Sequence, residues 1–503
     1  MSRSRRLRSA SGGGIIFPAM NFDYDVVIVG GAFSGAATAL MLKRKHPAAR
    51  VLIVEKAAEF DRKVGESTTE VSSAYMTRIL GLSNYLGHHH LVKQGLRMWF
   101  SKPLVEAAVS AANAEDDAGD TPAATTPNEP QQRFDECVEI GARYQARLPT
   151  FQVDRSTLDS HMLDLAVAAG CDLRRPAKVS RIELNGTNGQ TICLTSDAVV
   201  AQVSNLPVSI DRKLETCATT EQFSCRWVVD ASGRASVLGR KFGYFRPNNE
   251  HPINAVWARF SGVKDWDSYE WRERFPDYAN ACRTSRSWAT NHLMGHGWWC
   301  WIIPLRGGDV SAGLVYDSRI FKLAEGASLG ERLRTHLIAH PVGREIFGEA
   351  KIIEHDVHAF SALPYSNAQV CGDGWATVGD AAGFIDPLYS PGLDFCSYTS
   401  YYVADMLAAS LAGEDAAERI RYYNEQYPIT YRLWFETLYK DKYFYMGDAE
   451  LMSAALLLDV GSYFVGLVMP LYKNAEREFL RLPFEGAPGR IVAGIMSFYN
   501  RRL

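Results

Sequence analysis

One βαβ pattern near the amino end constrains the fold more than any other feature of this 503-residue chain. Tyr24–Val29 is a largely β-branched apolar run that ends at Gly30, and small residues at helical spacing follow over 34–45. Val51–Val54 forms a second apolar run, which ends at Glu55. Continuous apolar runs are typical of parallel strands that are buried on both faces. The pattern therefore predicts an α/β fold that contains a Rossmann-like domain.

The turn between the first strand and the helix carries chemistry as well as shape. It is built from small residues: Gly30, Gly31, Ala32, Ser34 and Gly35. Glycines allow a pyrophosphate to approach the free N–H groups at a helix N-terminus. Glu55 and Lys56, after the second strand, are placed to meet a ribose. The sequence predicts a bound dinucleotide, and a tight strand–helix turn without a ligand is the alternative.

Two later strand–turn motifs are suited to the same cofactor. The apolar run 227–229 leads to Asp230, and the run 375–378 leads to Gly379 and Asp380. An aspartate at such a turn can accept a hydrogen bond from a ribityl hydroxyl, and a helix N-terminus can meet flavin carbonyl oxygens. The three elements, in this order, resemble the FAD enzymes related to para-hydroxybenzoate hydroxylase. FAD is therefore expected in preference to NAD.

Charge and cysteine spacing exclude other classes of protein. A net charge of −3 does not provide the basic surface that nucleic-acid binding requires. The nine cysteines contain no Cys-x-x-Cys pair. We therefore expect no metal site, and scattered thiols favour a reducing, cytoplasmic location.

Three segments differ in composition from the rest of the chain. Residues 1–22 are basic and glycine-rich, which predicts a disordered leader, with a transit peptide as the alternative. Residues 104–133, rich in Ala, Asp, Thr and Pro, predict a flexible insertion. Leu451–Pro470 is apolar but interrupted by Asp459 and Gly461. It predicts a buried helix, with membrane-surface contact as the alternative and no integral membrane span.

The order of these patterns predicts a division of the chain. We expect an FAD-binding domain, a substrate domain whose antiparallel sheet covers the flavin, and a helical carboxyl-terminal region. Their expected ranges are 23–250 with 361–412, 251–360, and 413–503.

Three further motifs carry a family resemblance. They are Gly65-Glu66-Ser67-Thr68, Trp299-Cys300-Trp301-Ile302-Ile303-Pro304 and Asp386-Pro387-Leu388-Tyr389-Ser390-Pro391-Gly392. Together they resemble the flavin-dependent halogenases, over the part of the chain from Tyr24 to Phe395. The resemblance implies that Trp299, Trp301 and Pro304 lie between the flavin and a substrate pocket, where they impede ordinary monooxygenation. The alternative is an aromatic strand packed in the core.

The same resemblance implies partners and a reactive lysine. A separate NAD(P)H-dependent flavin reductase would supply FADH₂, and halide and O₂ would be substrates. Lys93, in the stretch Leu91–Phe100, matches the family's lysine at the far end of a tunnel from the flavin. An ammonium or amine there can hold hypohalous acid and direct it at one carbon of the substrate. A solvated surface lysine is the alternative.

The resemblance also assigns residues around the flavin: Glu66, Ser67, Arg155, Pro387, Gly392 and Leu393. For Arg155, an ion pair with Asp159 four residues later on a helix is equally expected. Ser67 and Glu70 fit a capping box, which would give Glu70 a structural role.

The motif around Tyr389 departs from the tryptophan-type halogenases. Those enzymes have Glu-Ser-Thr-Gly after Asp-Pro-Leu, whereas this chain has Tyr389-Ser390-Pro391-Gly392. A phenol activates its own ring when it loses its proton, so it needs less help from an enzyme carboxylate. Tyr389 is therefore expected in the pocket of a subgroup closer to the phenol type. The expected substrate is a phenolic or pyrrolic aromatic, either free or carrier-bound.

Pro391 is the second departure. The family binds halide against backbone N–H groups at this turn, and proline has none. Losing one donor disfavours a buried anion by about 1–3 kcal/mol. We expect the halide at Gly392 and Leu393. The alternatives are an FAD-dependent monooxygenase, dehydrogenase or reductase on the same fold, and a flavin-binding protein without turnover.

Overall fold

The computed structural model describes residues 21–101, 132–142, 148–198, 217–326 and 328–503. The predicted leader and the predicted insertion lie outside these residues, apart from their last two positions each. The strands are β1 Tyr24–Val29, β2 Val51–Val54, β3 Leu91–Val92, β4 Leu96–Phe100, β5 Val138–Gly141, β6 Phe151–Gln152, β7 Asp172–Arg174, β8 Lys178–Leu184, β9 Gln190–Ala198, β10 Cys217–Asp230, β11 Phe245–Pro247, β12 Ile253–Ser261, β13 Thr290–Gly295, β14 Trp298–Pro304, β15 Val310–Asp317, β16 Lys351–Phe360, β17 Tyr365–Asn367, β18 Cys371–Gly372, β19 Trp375–Thr377 and β20 Gly383–Phe384. The α-helices are α1 Phe33–Lys45, α2 Glu70–Ala74, α3 Ser83–His89, α4 Arg155–Ala168, α5 Val237–Lys241, α6 Tyr269–Arg274, α7 Pro276–Asn280, α8 Leu329–Ala339, α9 Pro341–Phe347, α10 Gly392–Leu411, α11 Ala417–Leu438, α12 Ala449–Tyr463, α13 Met469–Lys473, α14 Ala475–Glu478 and α15 Gly486–Asn500.

The first sheet has a parallel centre, as the βαβ pattern predicts. Its order is β18-β19-β10-β1-β2-β7, and β1 lies parallel to both β10 and β2. β8 and β9 extend β10 as an antiparallel meander. Helices α1, α4 and α10 pack together beside this sheet. The small residues of α1 allow this close packing, since its central positions are fully buried. The prediction of an α/β, Rossmann-like fold is confirmed.

The second sheet has seven strands in the order β16-β12-β15-β14-β13-β4-β5. All neighbouring pairs are antiparallel except β13 and β4, which are parallel. The sheet is antiparallel, as expected of the substrate domain, apart from this one pair, and it includes two strands from outside 251–360. β4 and β5 come from the amino-terminal part of the chain, and β4 runs in the same direction as β13. The predicted domain ranges otherwise stay a prediction.

The carboxyl-terminal region is helical, as expected, but one helix lies differently from the prediction. A continuous helix covers Ala449–Lys473, with a π-helical turn over Phe464–Val468 between α12 and α13. The expectation that it is buried is wrong, because only 22% of its most apolar window is buried. Among the described residues it is one helix whose length and mean hydropathy of 1.8 would allow it to cross a membrane. Length and composition alone do not establish a membrane span. The expected lack of a membrane span therefore stays a prediction.

Candidate functional site

The turn between β1 and α1 is closed so tightly that glycine is required. Gly30 has φ +106°, and a Cβ there would lie 2.4 Å from the carbonyl oxygen of Ala231. A Cβ on Gly35 would lie 1.9 Å from the carbonyl oxygen of Gly30. The residue before α1, Ala32, contributes no side-chain cap. The first N–H groups of the helix are therefore left for a ligand, as a pyrophosphate requires.

Glu55 closes the same turn from the end of β2. One of its carboxylate oxygens accepts the Gly31 N–H at 2.8 Å and the other accepts the Ala57 N–H at 2.9 Å. A carboxylate can accept about four hydrogen bonds, so lone pairs remain for ribose hydroxyls. Lys56, next in sequence, is exposed.

Gly379 and Asp380 bring a second element to this place. A Cβ on Gly379 would lie 2.3 Å from Ser34 Oγ, so the turn packs directly on the start of α1. The Asp380 carboxylate accepts no hydrogen bond within the described part of the chain. Burial raises its pKa to about 6, against the attraction of Arg155 and Arg234. Asp380 is half-buried, and the hydroxyls of a ribityl chain could donate to the free lone pairs of its carboxylate.

Two other predicted flavin contacts have partners within the protein. Asp230 is fully buried and accepts the backbone N–H groups of Ser232 and Leu238 at 3.0 and 2.7 Å, so its carboxylate shapes the turn. Arg155 lies beside Asp380 and forms the alternative ion pair with Asp159, at 3.1 Å. The glycine cradle and the unsatisfied Asp380 nevertheless fit FAD, with Asp230 supporting the site indirectly.

A strap from Gly65 to Thr69 links the flavin side to Lys93. Before it, the Val64 carbonyl accepts from Arg155 at 3.3 Å; within it, the Thr68 carbonyl accepts from Lys93 Nζ at 2.8 Å. The five-residue strap spans at most about 18 Å when fully extended. The strap therefore connects the expected flavin site to Lys93 through a short segment of backbone.

The capping box in this strap is formed by other residues than predicted. Thr69, the residue before α2, pairs reciprocally with Ser72, and Glu70 is the first residue of the helix. The prediction of Ser67 and Glu70 is wrong because the helix begins two residues later than it required. Ser67 Oγ is bonded instead to Lys93 Nζ, at 2.7 Å, and to Thr290 Oγ1, at 3.0 Å.

Lys93 is buried, with 6% of its surface exposed. Its ammonium donates to Ser67 Oγ and to the Thr68 carbonyl, both of which are uncharged. Burial lowers the pKa of Lys93 to about 8, and the more distant carboxylates of Glu70 and Asp394 oppose that shift. The surface alternative is thus wrong for this lysine.

Glu66 is held by an arginine that the sequence analysis missed. Arg259, on β12, donates to Glu66 Oε1 at 2.7 Å and to Asp154 Oδ2 at 2.6 Å. Burial raises the pKa of Glu66 to about 7, with Arg259 pulling the other way. The signal was visible, since Arg259 interrupts an otherwise apolar strand. Glu66 therefore fixes the strap to the second sheet.

The two tryptophans of β14 are buried with their ring centroids 6.0 Å apart. Trp301 Nε1 donates to Ser311 Oγ at 3.2 Å, and Trp299 Nε1 donates to Tyr443 Oη at 2.8 Å. Pro304 is half-buried and ends the strand opposite Val310. Hydrogen bonds, in addition to packing, therefore hold both tryptophan rings in place.

Tyr443 begins a buried network that sequence reasoning also missed. Its hydroxyl donates to Asp386 Oδ2 at 3.0 Å, and His251 Nε2 lies 2.7 Å from the same oxygen. Asp386 Oδ1 accepts the Leu388 N–H at 2.8 Å. Trp299 is thereby connected to the turn that carries Pro387 and Tyr389.

That turn is strained. Tyr389 and Ser390 have φ of +67° and +62°. Because neither residue is a glycine, each such conformation costs about 1–3 kcal/mol. The hydroxyl of Tyr389 donates to Asp459 Oδ2 at 3.0 Å, and Lys442 Nζ donates to the same atom at 2.5 Å. The buried Lys442 and Asp459 were not predicted, and only their position in an aromatic, apolar stretch could have drawn attention to them.

The helix α10 begins directly after this turn. Pro391 precedes it, and the Pro391 carbonyl accepts the N–H groups of Asp394 and Phe395, both at 3.0 Å. Within the described residues no backbone carbonyl accepts from the N–H of Gly392 or Leu393. These two donors therefore lie where the sequence analysis expects the halide.

Comparison with known proteins identifies the family. The profile of the tryptophan halogenase family matches residues 25–103 and 109–439. The flavin-dependent halogenase chlA of Dictyostelium discoideum is 23% identical over 89% of this chain and 70% of its own length. The tetracycline 7-halogenase of Kitasatospora aureofaciens is 25% identical over 80% of this chain and 66% of its own length.

A solved structure confirms the fold. The halogenase PltM in complex with phloroglucinol and FAD superposes with a TM-score of 0.64 at 18% identity, over 91% of this chain and 85% of that chain. The predicted family, the enzyme class and the FAD cofactor are confirmed. Flavin-dependent halogenases generally rely on a separate flavin reductase, in line with the predicted partner. Since the match covers most of its length, including the glycine turn and Lys93, this chain belongs to the tryptophan halogenase family.

Proposed function

We propose that this protein halogenates an electron-rich phenolic or pyrrolic aromatic, with Lys93 as the residue that delivers the halogen. The observation that carries the proposal is the setting of Lys93. It is buried, and among the described residues it is hydrogen-bonded only to the uncharged Ser67 hydroxyl and Thr68 carbonyl. The strap joins it to Arg155 on the expected flavin side. An exposed lysine, or one neutralised by a bound carboxylate, would not suit this role.

The cofactor site consists of residues drawn from three turns and the strap. It comprises Gly30, Gly31, Ala32, Ser34, Gly35, Glu55, Lys56, Glu66, Ser67, Arg155, Asp230, Gly379, Asp380, Pro387, Gly392 and Leu393. Bound FAD, reduced by a separate NAD(P)H-dependent reductase, supplies the oxidising equivalents from O₂ for converting halide to hypohalous acid. The protein's own residues bind the cofactor and separate it from the aromatic substrate.

The halide is proposed to lie against the N–H groups of Gly392 and Leu393. Both belong to the first turn of α10, where the helix dipole favours an anion. Pro391 contributes no N–H, so this halide site has fewer donors than one with another residue there.

Trp299, Trp301 and Pro304 are proposed to form the wall between flavin and substrate. The hydrogen bonds from Trp299 to Tyr443 and from Trp301 to Ser311 keep the two indoles in place. A rigid wall prevents direct transfer of oxygen to the substrate and leaves the small hypohalous acid as the species that reaches Lys93.

At the far end, the Lys93 ammonium would hold hypohalous acid by a hydrogen bond and orient it toward one ring carbon. With a pKa near 8, most of the ammonium remains protonated at neutral pH. Tyr389, whose hydroxyl is held by Asp459, replaces a carboxylate in the pocket. A substrate that activates its own ring, such as a phenol, fits that replacement.

Product analysis tests the proposal. Purified protein with FAD, a flavin reductase, NADH and bromide is incubated with a panel of phenols, pyrroles and indoles, both free and attached to a carrier. We expect a mass increase that corresponds to replacement of one hydrogen by bromine in phenols or pyrroles. Products that gain one oxygen, at a rate independent of bromide, would instead identify a monooxygenase, the outcome that the missing Pro391 N–H favours.

A further inference from the structure

Large exposed apolar side chains are concentrated on two carboxyl-terminal helices. Nine of the fifteen in the described residues lie on the 449–473 helix and on α15. These nine side chains, here called the apolar face, are Leu457, Val460, Val465, Met469, Ile491, Val492, Ile495, Phe498 and Tyr499. Leu457, Val465 and Ile491 have 78%, 69% and 63% of their surface exposed. A concentration of large exposed apolar side chains indicates an interaction site.

The two helices form one surface. α12 contacts α15, and the exposed residues of α15 recur at the spacing of one helical side. The opposite side of the 449–473 helix is tied to the protein by polar contacts: Asp459 accepts from Tyr389 and Lys442, and Tyr463 Oη accepts the Val71 N–H at 3.2 Å. The helix therefore cannot rotate to bury its apolar residues without breaking these bonds.

The exposed charged side chains within 451–473 and 486–503 are cationic. Over 451–473 and 486–503 the charged side chains are Asp459, Lys473, Arg490, Arg501 and Arg502. Asp459 is buried and paired with Lys442, whereas the four cations are exposed. The Arg502 guanidinium lies 3.7 Å from the centre of the Phe498 ring, which places a cation directly beside the apolar residues.

Acidic groups occur only at the margins of this surface within the described chain. Glu450 lies at the start of α12, and the connection between the two helices contains Glu476, Glu478 and Glu485. Arg481 pairs with Glu485 at 2.7 Å, and Arg477 lies 4.0 Å from Glu478. Four exposed cations without a carboxylate partner among the described residues therefore lie on or beside the apolar face, and the acidic side chains lie at the start of α12 and in the connection.

We propose that the apolar face docks on the surface of an anionic lipid membrane. An apolar stripe flanked by arginines is suited to the boundary between acyl chains and anionic headgroups. A second copy of the chain is the less favourable occupant, because a two-fold interface would place the same four cations opposite one another. The proposal concerns surface attachment of a folded enzyme and does not depend on the reaction it performs.

Vesicle co-sedimentation of the FAD-loaded protein tests the proposal. Phosphatidylcholine vesicles are compared with vesicles that also contain phosphatidylglycerol. We expect binding to the anionic vesicles, weakened by added salt. Substituting Ile491→Gln together with Ile495→Gln should reduce binding about tenfold or more. Tyr269→Gln, which alters an exposed aromatic residue on α6, is the matched control and should bind normally.

A second variant tests the charges separately. Arg490→Gln with Arg501→Gln should lower binding to anionic vesicles about fivefold per arginine and leave weak binding to neutral vesicles unchanged. Flavin absorbance of each variant verifies that the fold is retained. Lack of binding to either vesicle would overturn the proposal. So would a concentration-dependent dimer, seen by light scattering, that Ile491→Gln with Ile495→Gln converts to monomer.

Discussion

This protein has two buried lysines whose hydrogen-bond partners differ in charge. Lys93 donates to a hydroxyl and a carbonyl, whereas Lys442 donates to the carboxylate of Asp459. Neither ammonium reaches bulk water, with 6% and 0% of the residue exposed. Removing an ammonium from water is costly unless an opposite charge replaces the lost hydration. The protein supplies that charge at Lys442, which indicates a structural role. Among the described residues, no carboxylate is bonded directly to Lys93, and the reactive role proposed for Lys93 depends on this difference.

Lys93→Met is expected to have the largest effect on activity. It should lower the rate of halogenated product by about 10²–10⁴-fold, the range for loss of a positioned catalytic group. Oxidation of reduced flavin by O₂ should continue at its normal rate, because the lysine lies at the other end of the strap. Product mass spectrometry and stopped-flow flavin absorbance measure the two steps.

The exposed Lys351 provides a matched control, because Lys351→Met removes the same charge from the surface. It should leave both rates unchanged. Full product yield from Lys93→Met would show that the two buried lysines do not differ in the way proposed.

Lys442→Met is expected to act on stability. It leaves the buried Asp459 carboxylate without its cation, which costs about 3–5 kcal/mol in the free energy of unfolding. Urea unfolding at neutral pH measures the loss. The double variant Lys442→Met with Asp459→Leu removes both charges and should recover most of the stability. Equal destabilisation by the single and double variants would mean that the pair contributes through packing alone.

These two lysines also show what could be predicted from the sequence and what could not. The glycine turn, Glu55 and Lys93 could be identified as candidates because the patterns that mark them are local: a strand, a turn and a helix, or a motif with fixed spacing. Lys442 and Asp459 are 17 residues apart, and nothing local signals that they meet. The burial that lowers the pKa of Lys93 is likewise a property of packing.

Other misses have the same physical origin. The parallel pair of β4 and β13 joins segments far apart in the chain, and Arg259 reaches Glu66 across 193 residues. The 449–473 helix was correctly predicted as a helix, but its exposure depends on neighbours that a hydropathy pattern does not contain. Periodicity identifies an element and its apolar side; it does not say what covers that side.

The pH dependence of the free energy of unfolding is a further test of the difference between the two buried lysines, with a smaller expected effect. Burial lowers the pKa of Lys93 from 10.5 to about 8, so between these values the unfolded chain binds more protons than the folded chain. The free energy of unfolding should therefore rise with pH from about 8 to about 10.5, by up to about 3 kcal/mol. Below pH 8 both states carry the proton and this contribution is constant.

Comparing urea midpoints of the wild type and Lys93→Met across this range isolates the contribution of Lys93. The variant should lack the rise. An identical pH dependence in both proteins would indicate that the amine titrates as it does in water. In the wild type, product formation should fall above pH 8, since the hydrogen-bonding ammonium is lost there.

Pro391→Ser gives the smallest expected effect and tests how the halogen that Lys93 receives is first bound. Serine restores one N–H next to the free donors of Gly392 and Leu393, and Pro391 already has helical φ and ψ of −74° and −11°, which serine can adopt. One added hydrogen bond to an anion is worth about 1 kcal/mol, so the bromide concentration for half-maximal rate should fall about fivefold. Steady-state rates over a bromide series give this value, with Lys93→Met as the background. If the bromide requirement is the same in both proteins, the halide does not lie at the start of α10, and the path from that helix to Lys93 must begin elsewhere.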